Sequence, residues 1–171
     1  MTIGTPAGRR THTVTGSPVG PLTLVAVDGV LAGLMMTEHR HAPPPETFGA
    51  ADPGPFAEAV DQLEAYFAGD RTEFDLDLAL AGTPFQQRVW QELRAIGYGE
   101  TISYGQLARR IGQPTAFRAV GLANGRNPVS IIVPCHRVVG SDGSLTGYGG
   151  GMPRKQFLLA LEQRVSGQTL A

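Results

Sequence analysis

The sequence predicts an α/β fold of the α+β kind. A small sheet-plus-helix part spans residues 1–80, and a mainly helical part with a helix-turn-helix spans residues 81–171. Three observations predict it. Short β-rich runs follow one another through the first forty residues, separated by turn residues. From Thr83 onward the apolar spacing becomes helical. Between the last two helical stretches lies Asn127 to Val138, N-P-V-S-I-I-V-P-C-H-R-V, which carries the only cysteine of the chain behind an apolar run.

Residues 1–10 read as a tail. Thr11–Thr15 alternates and is rich in Thr and Val, so it reads as the first strand. After a Gly/Pro-rich turn, Leu22–Val27 is the second strand. Asp28-Gly29 is a hairpin turn and Val30–Met36 the third strand. His39 and His41 have the spacing of a weak metal pair, but no third ligand accompanies them, so no metal is expected. Ala42–Ala51 is a Pro-rich linker. Pro55–Ala68 places Phe56, Val60, Leu63 and Phe67 on one stripe of a helix that Asp52 can cap and Gly69 stops. Phe74–Leu78 alternates as a further strand.

In the second part Thr83, Pro84 and Gln86 supply an N-cap, an N1 proline and a capping-box glutamine. Phe85, Val89, Leu93 and Ile96 then line one helix face, with Trp90 read as core. Ser103 caps a helix over Tyr104–Ile111. Gly112-Gln113-Pro114 breaks it, and Thr115 caps a second helix, Ala116–Asn124. That second helix is nearly bare, with Ala116, Ala119, Gly121 and Ala123, and Arg118 projects from it. Such a helix either packs tightly inside the protein or lies close to a nucleic-acid groove; its own residues fit both. Ile131-Ile132-Val133 is suited to a buried strand that Pro134 ends. After the run Gly147–Gly151, Pro153–Arg164 forms the last helix with Phe157, Leu158 and Leu161 inward, and residues 165–171 are a tail. The glycine run lacks the Gly-Lys-Ser/Thr ending of a phosphate loop.

Composition narrows the function classes. One cysteine excludes an internal disulfide and a cysteine-rich zinc site. No apolar run reaches membrane-spanning length, and Met1–Arg10 lacks the apolar core of a signal peptide, so the cytoplasm is the expected compartment. The net charge of −1 hides an asymmetry. Residues 1–85 carry four Arg against eleven Asp and Glu, a balance of −7, whereas residues 86–171 carry nine Arg and one Lys against four acids, a balance of +6. A polyanion suits the second half, although arginines on solvated helix faces give the same count.

Cys135 at the end of a buried run, beside His136 and Arg137, stands where a thiol pKa can fall and thiolate can form; a lone cysteine taken by itself is more often a small core hydrophobe. Glu162, one step past Leu161, either approaches the edge of the core or lies on a solvated helix face.

Several motifs in order carry a resemblance. They are F-Q-x-x-V-W (85–90), Y-G-E-T-x-S-Y-G-x-L-A (98–108), R-A-V-G-x-A-N (118–124), N-P (127–128), P-C-H-R (134–137), G-Y-G-G-G (147–151) and R-K-x-x-L-L-x-x-E (154–162). Together they resemble the O6-alkylguanine-DNA alkyltransferases across the whole second half, with a weaker match of pattern in the first. The resemblance implies an RNase H-like first domain and a winged-helix-like second one. It implies irreversible, single-turnover transfer of an alkyl group from O6-methylguanine, and from O4-methylthymine, in duplex DNA to Cys135. His136 would take the thiol proton through a water, Glu162 would orient the imidazole, and Asn127 would brace the turn holding Cys135. Tyr104 would assist the departing guanine and crowd the phosphate during base flipping. Arg118 would fill the gap in the duplex, and Ser103, Ala119, Gly121 and Ala123 would lie along the minor groove. Tyr148 and the backbone of Val138 and Gly149 would wall the base pocket. The resemblance implies a monomer and neither cofactor nor metal; cooperative binding on DNA stays open.

Two departures stand out. Phe117 occupies a position where a small residue is commoner, and Gly149 one where some relatives have serine, which leaves only a backbone donor there. Cysteine rather than tryptophan at 135 favours transfer over mere lesion binding. The rivals are a cysteine hydrolase using Cys135 and His136, which would turn over, and a non-enzymatic helix-turn-helix regulator, whose binding would survive loss of the thiol.

Overall fold

A computed structural model describes residues 8–145 and 147–169. Four strands, β1 (Arg10–Thr15), β2 (Leu22–Val27), β3 (Val30–Met36) and β4 (Ala50–Ala51), form one sheet in the order β3-β2-β1-β4. The β2–β3 hairpin turns at Asp28 and Gly29, both with left-handed φ of 49° and 81°, the backbone that matches the twist of paired strands. The Pro-rich stretch is more than a linker. Its end supplies β4, which pairs parallel with β1 at Thr11 and His12 and closes that edge.

Helix α1 (Ala57–Phe67) begins after a short 3-10 turn at Gly54–Phe56, where Asp52 Oδ1 accepts the Gly54 N–H. No strand forms at Phe74–Leu78 apart from a single bridge from Leu78 to Leu31. Its alternation was a poor guide because the Gln62 side chain of α1 takes the backbone partners: its amide donates to Asp75 O at 3.0 Å and accepts from Asp75 N at 2.9 Å.

The second half contains α2 (Pro84–Arg94), α3 (Tyr104–Arg110), α4 (Phe117–Gly125) and α5 (Met152–Thr169), plus a two-stranded parallel pair, β5 (Ile102–Ser103) with β6 (Val138–Val139). The expected capping box of Thr83 with Gln86 forms, and Ser103, expected as an N-cap, makes a second box with Gln106. Thr115 does not cap α4, whose N-cap is Ala116 without a side-chain bond. The expected tail after Arg164 is helical to Thr169, with Val165 buried. Phe157, expected inward, is 40 % exposed.

One hydrophobic cluster runs through both halves, from Leu22, Leu24 and Leu34 under the sheet to Trp90, Val133 and Leu158. Trp90 joins α2 to α4: its ring is buried and its Nε1–H donates to Ala123 O at 2.8 Å. Trp90→Phe is expected to cost about 2 kcal/mol, through a buried carbonyl left without its donor and a small void, read as a lower denaturant midpoint.

Candidate active site around Cys135

The apolar run before the cysteine is buried but is not a strand. Ile131 has φ 73°, a left-handed conformation that a β-branched residue adopts only when its surroundings impose it. Ile132 N–H donates to Ser130 O at 2.9 Å, closing a γ-turn around Ile131, and Cys135 N–H donates to Val133 O at 2.8 Å across Pro134 (φ −82°, ψ 65°), an inverse γ-turn. Sheet edge β3 anchors the start of this path, since Leu34 N–H donates to Pro128 O and Ser130 N–H to Leu34 O. Asn127 braces it from within: Nδ2 donates to Val133 O at 2.7 Å and Oδ1 accepts the Val129 N–H at 3.0 Å. Cys135–Arg137 then forms a 3-10 turn, so Cys135 and His136 are not neighbours on an extended strand.

His136 is fully buried, and its Nε2 lies 2.7 Å from Glu162 Oε2. Glu162 is not on a solvated face; it is 1 % exposed and is gripped from four sides. Besides His136, Tyr66 of α1 donates its hydroxyl to Oε2 at 2.6 Å, Arg137 donates Nε to Oε1 at 2.8 Å and Nη2 to Oε2 at 3.0 Å, and Gly99 N–H reaches Oε1 at 3.5 Å. Burial by itself would raise the carboxyl, but the hydrogen bonds and charges of His136 and Arg137 outweigh it and hold Glu162 at about 2. Burial lowers the His136 pKa, with Glu162 opposing, so the imidazole rests neutral. A carboxylate at Nε2 selects the tautomer with its proton there, which makes Nδ1 the acceptor; Nδ1 is buried and has no hydrogen-bond partner among the described residues.

The Cys135 thiol is 4 % exposed, and burial pushes it up; the Asn127 amide, the Lys155 charge and the Ser130 hydroxyl draw it back only in part. The expected fall of its pKa is therefore absent in the resting protein, and thiolate must be made when it is needed. Arg137, expected to act on the thiol, is committed elsewhere: to Glu162, to Ile96 O at 2.7 Å and to the face of Tyr98. The cation near the sulfur is Lys155, fully buried, whose Nζ donates to Val138 O at 2.6 Å and whose pKa burial lowers to about 8.

The remaining candidates are spread over β6, the glycine run, α3 and α4. Val138 is buried in β6, and Tyr148 is buried with its hydroxyl unpartnered among the described residues. Gly149 O accepts the Arg40 N–H at 2.7 Å. The Tyr104 ring lies against α4 at Gly121, whose Cβ position would be 3.8 Å from Tyr104 Cδ1, and its hydroxyl faces Gly147. Ser103 is the cap of α3. Arg118 and Ala119 are exposed on α4 beside Phe117 and Leu122, and Gly121 is half-buried. Ala123 is the exception: it is 3 % exposed and faces the core beside Trp90, so its side chain is not on the outer face of the helix.

Sequence reasoning missed Tyr66, Ser130 and the role of Lys155. Lys155 was legible in principle, because 155, 158, 161, 162 and 165 make one buried stripe of α5 and a lysine on such a stripe is marked. Tyr66 shows no such signal, since its partner is 96 residues away in sequence.

Comparison with known proteins agrees with this arrangement. Residues 84–164 match the family model described as 6-O-methylguanine DNA methyltransferase, DNA binding domain, and residues 11–80 match the ribonuclease-like domain of the same family. The methylated-DNA–protein-cysteine methyltransferase of Mycobacterium tuberculosis is 60 % identical over 147 residues, covering 86 % of this chain and 88 % of the relative. Its namesake from Methanosarcina acetivorans is 50 % identical, covering 85 % and 94 %. The crystal structure of Mycobacterium tuberculosis OGT in complex with DNA superposes with a TM-score of 0.85 at 57 % identity, covering 91 % of this chain and 94 % of that one. With both domains of the family matched, over residues 11–80 and 84–164, and a relative 60 % identical over 147 residues, this chain belongs to the 6-O-methylguanine DNA methyltransferase family.

Proposed function

We propose that this protein repairs alkylated DNA by direct reversal, taking the alkyl group from O6 of guanine, or O4 of thymine, onto Cys135 in a single irreversible turnover. The observation that carries this reading is the buried His136–Glu162 pair next to the only cysteine, with the acceptor nitrogen of His136 unengaged. The thiol proton passes to His136 Nδ1 through a water. The imidazolium so formed is stabilised by the Glu162 carboxylate, and the Lys155 ammonium favours the thiolate. Sulfur attacks the alkyl carbon, the carbon–oxygen bond breaks, and its electron pair leaves with the base, which Tyr104 assists by donating a proton or hydrogen bond. Val138, Tyr148 and Gly149 wall the base, and Asn127 keeps Cys135 in place.

The alkyl carbon cannot be reached inside the stack, so the base is flipped out. Helix α4 lies in the minor groove through Arg118, Ala119 and Gly121, with Ser103 at the adjoining helix start and Arg118 filling the vacated space. Residues 1–80 act as scaffold and 81–171 as the DNA-binding and transferring half. The protein works as a monomer in the cytoplasm; no helix of the described residues is long and apolar enough to cross a membrane.

The test is intact-mass measurement after incubation with excess duplex carrying O6-methylguanine. One added methyl on Cys135, none on Cys135→Ser, and no further reaction is the expected result. Multiple turnovers would point to a hydrolase, and lesion binding without a mass change to a non-enzymatic DNA-binding protein.

A further inference from the structure

The sheet-bearing half has so far served as support, yet besides Tyr66 it sends a second side chain toward the reacting centre. His39 follows β3, and its ring is fixed at both nitrogens. Nδ1 accepts the Met36 N–H at 3.2 Å, which leaves the proton on Nε2, and Nε2 lies 3.4 Å from Ser130 Oγ. Ser130 is buried, and its hydroxyl is one of the groups that favour the ionised form of the Cys135 sulfur. An Nε2–H donated to Ser130 Oγ fills an acceptor site of that hydroxyl and turns its own hydrogen toward the sulfur. The same ring sits against the glycine run. A Cβ at Gly149 would lie 2.6 Å from His39 Nε2, so only glycine lets the imidazole approach this closely, and Arg40 N–H fastens Gly149 O beside it.

We infer that His39 is a positioning residue of the alkyl-transfer centre: through Ser130 it orients a hydrogen bond onto the Cys135 sulfur. The inference rests on the transfer function proposed above. Burial, with Arg154 and His41, holds His39 at about 4, so it keeps one tautomer and one donor throughout the neutral range. The other titratable groups facing the centre are His136, Lys155 and Tyr148; the Tyr148 ring is 6.5 Å from that of His39, and its hydroxyl also interacts with Ser130.

The experiment compares the full chain with His39→Leu, His39→Gln, Ser130→Ala and the His39→Leu/Ser130→Ala double variant. Two readouts are used: the pH profile of Cys135 carboxymethylation by iodoacetate, and the rate of benzyl transfer from free O6-benzylguanine. His39→Leu and Ser130→Ala are each expected to move the carboxymethylation profile to higher pH and to slow benzyl transfer by roughly fivefold to tenfold, the worth of one hydrogen bond to a developing charge. The double variant should be no slower than Ser130→Ala, and His39→Gln, which keeps an N–H donor, should recover most of the loss. An unchanged carboxymethylation profile in His39→Leu, or losses that multiply in the double variant, would overturn the inference. If the unsubstituted chain is carboxymethylated normally but takes no benzyl group, the transfer function fails instead, and the profile still decides the role of His39.

Discussion

Glu162→Gln is expected to destabilise the protein by about 3–5 kcal/mol, the usual cost of removing one partner from a buried ion pair. Arg137, anchored at Ile96 O and over Tyr98, would keep its charge in the interior with only neutral acceptors around it. The same change alters the base. A carboxamide that turns its NH2 toward His136 Nε2 asks that nitrogen to accept, which puts the ring proton on Nδ1 and removes the acceptor for the thiol proton. Benzyl transfer from O6-benzylguanine should therefore slow and its pH profile move upward, while equilibrium denaturation reports the lost stability. A profile and denaturant midpoint that match the unsubstituted protein would remove Glu162 from both roles.

The pH dependence of stability carries the same signature. Glu162 is held at about 2 against an ordinary value of 4.5, so its contribution is complete above 4.5 and is lost as pH falls toward 2. His136 is held neutral below its ordinary 6.5, so the unfolded chain gains a proton first and the loss already begins near 6.5. Both effects have the same sign. The shift of Glu162 corresponds to roughly 3 kcal/mol, which Glu162→Gln should lack, giving a flatter stability curve below pH 6.

Arg118→Ala is expected to slow transfer from O6-methylguanine in duplex DNA by roughly 30- to 100-fold while leaving reaction with free O6-benzylguanine within about twofold. The reason is the few kcal/mol needed to unstack a base, part of which an inserted guanidinium returns. Arg118 is exposed on α4, outside the buried centre, so the expected effect is confined to the step that opens the duplex. Equal losses on both substrates would refute the role. Phe117 and Leu122, exposed at 51 % and 68 %, flank it and offer apolar surface to an opened step.

What the sequence determined by itself were the locally encoded features. The hairpin at Asp28-Gly29, the capping boxes at Thr83 and Ser103 and the inward stripe of Val89, Leu93 and Ile96 each depend on residues a few positions apart, and each formed. The motif around Cys135 also identified the family. Tertiary structure decided whatever depended on a distant partner. Ile131–Val133 has strand composition, but Asn127 and the β3 edge bend it into successive γ-turns that present the cysteine. Phe74–Leu78 alternates like a strand, yet Gln62 occupies its backbone groups. Glu162 looked better suited to solvent until Tyr66 of α1 and the consecutive pair His136 and Arg137 converged on it from two other segments. The buried electrostatics reversed one expectation outright: enclosure raises the Cys135 thiol more than its neighbours lower it, because desolvation depends on the whole surrounding shell and not on adjacent letters.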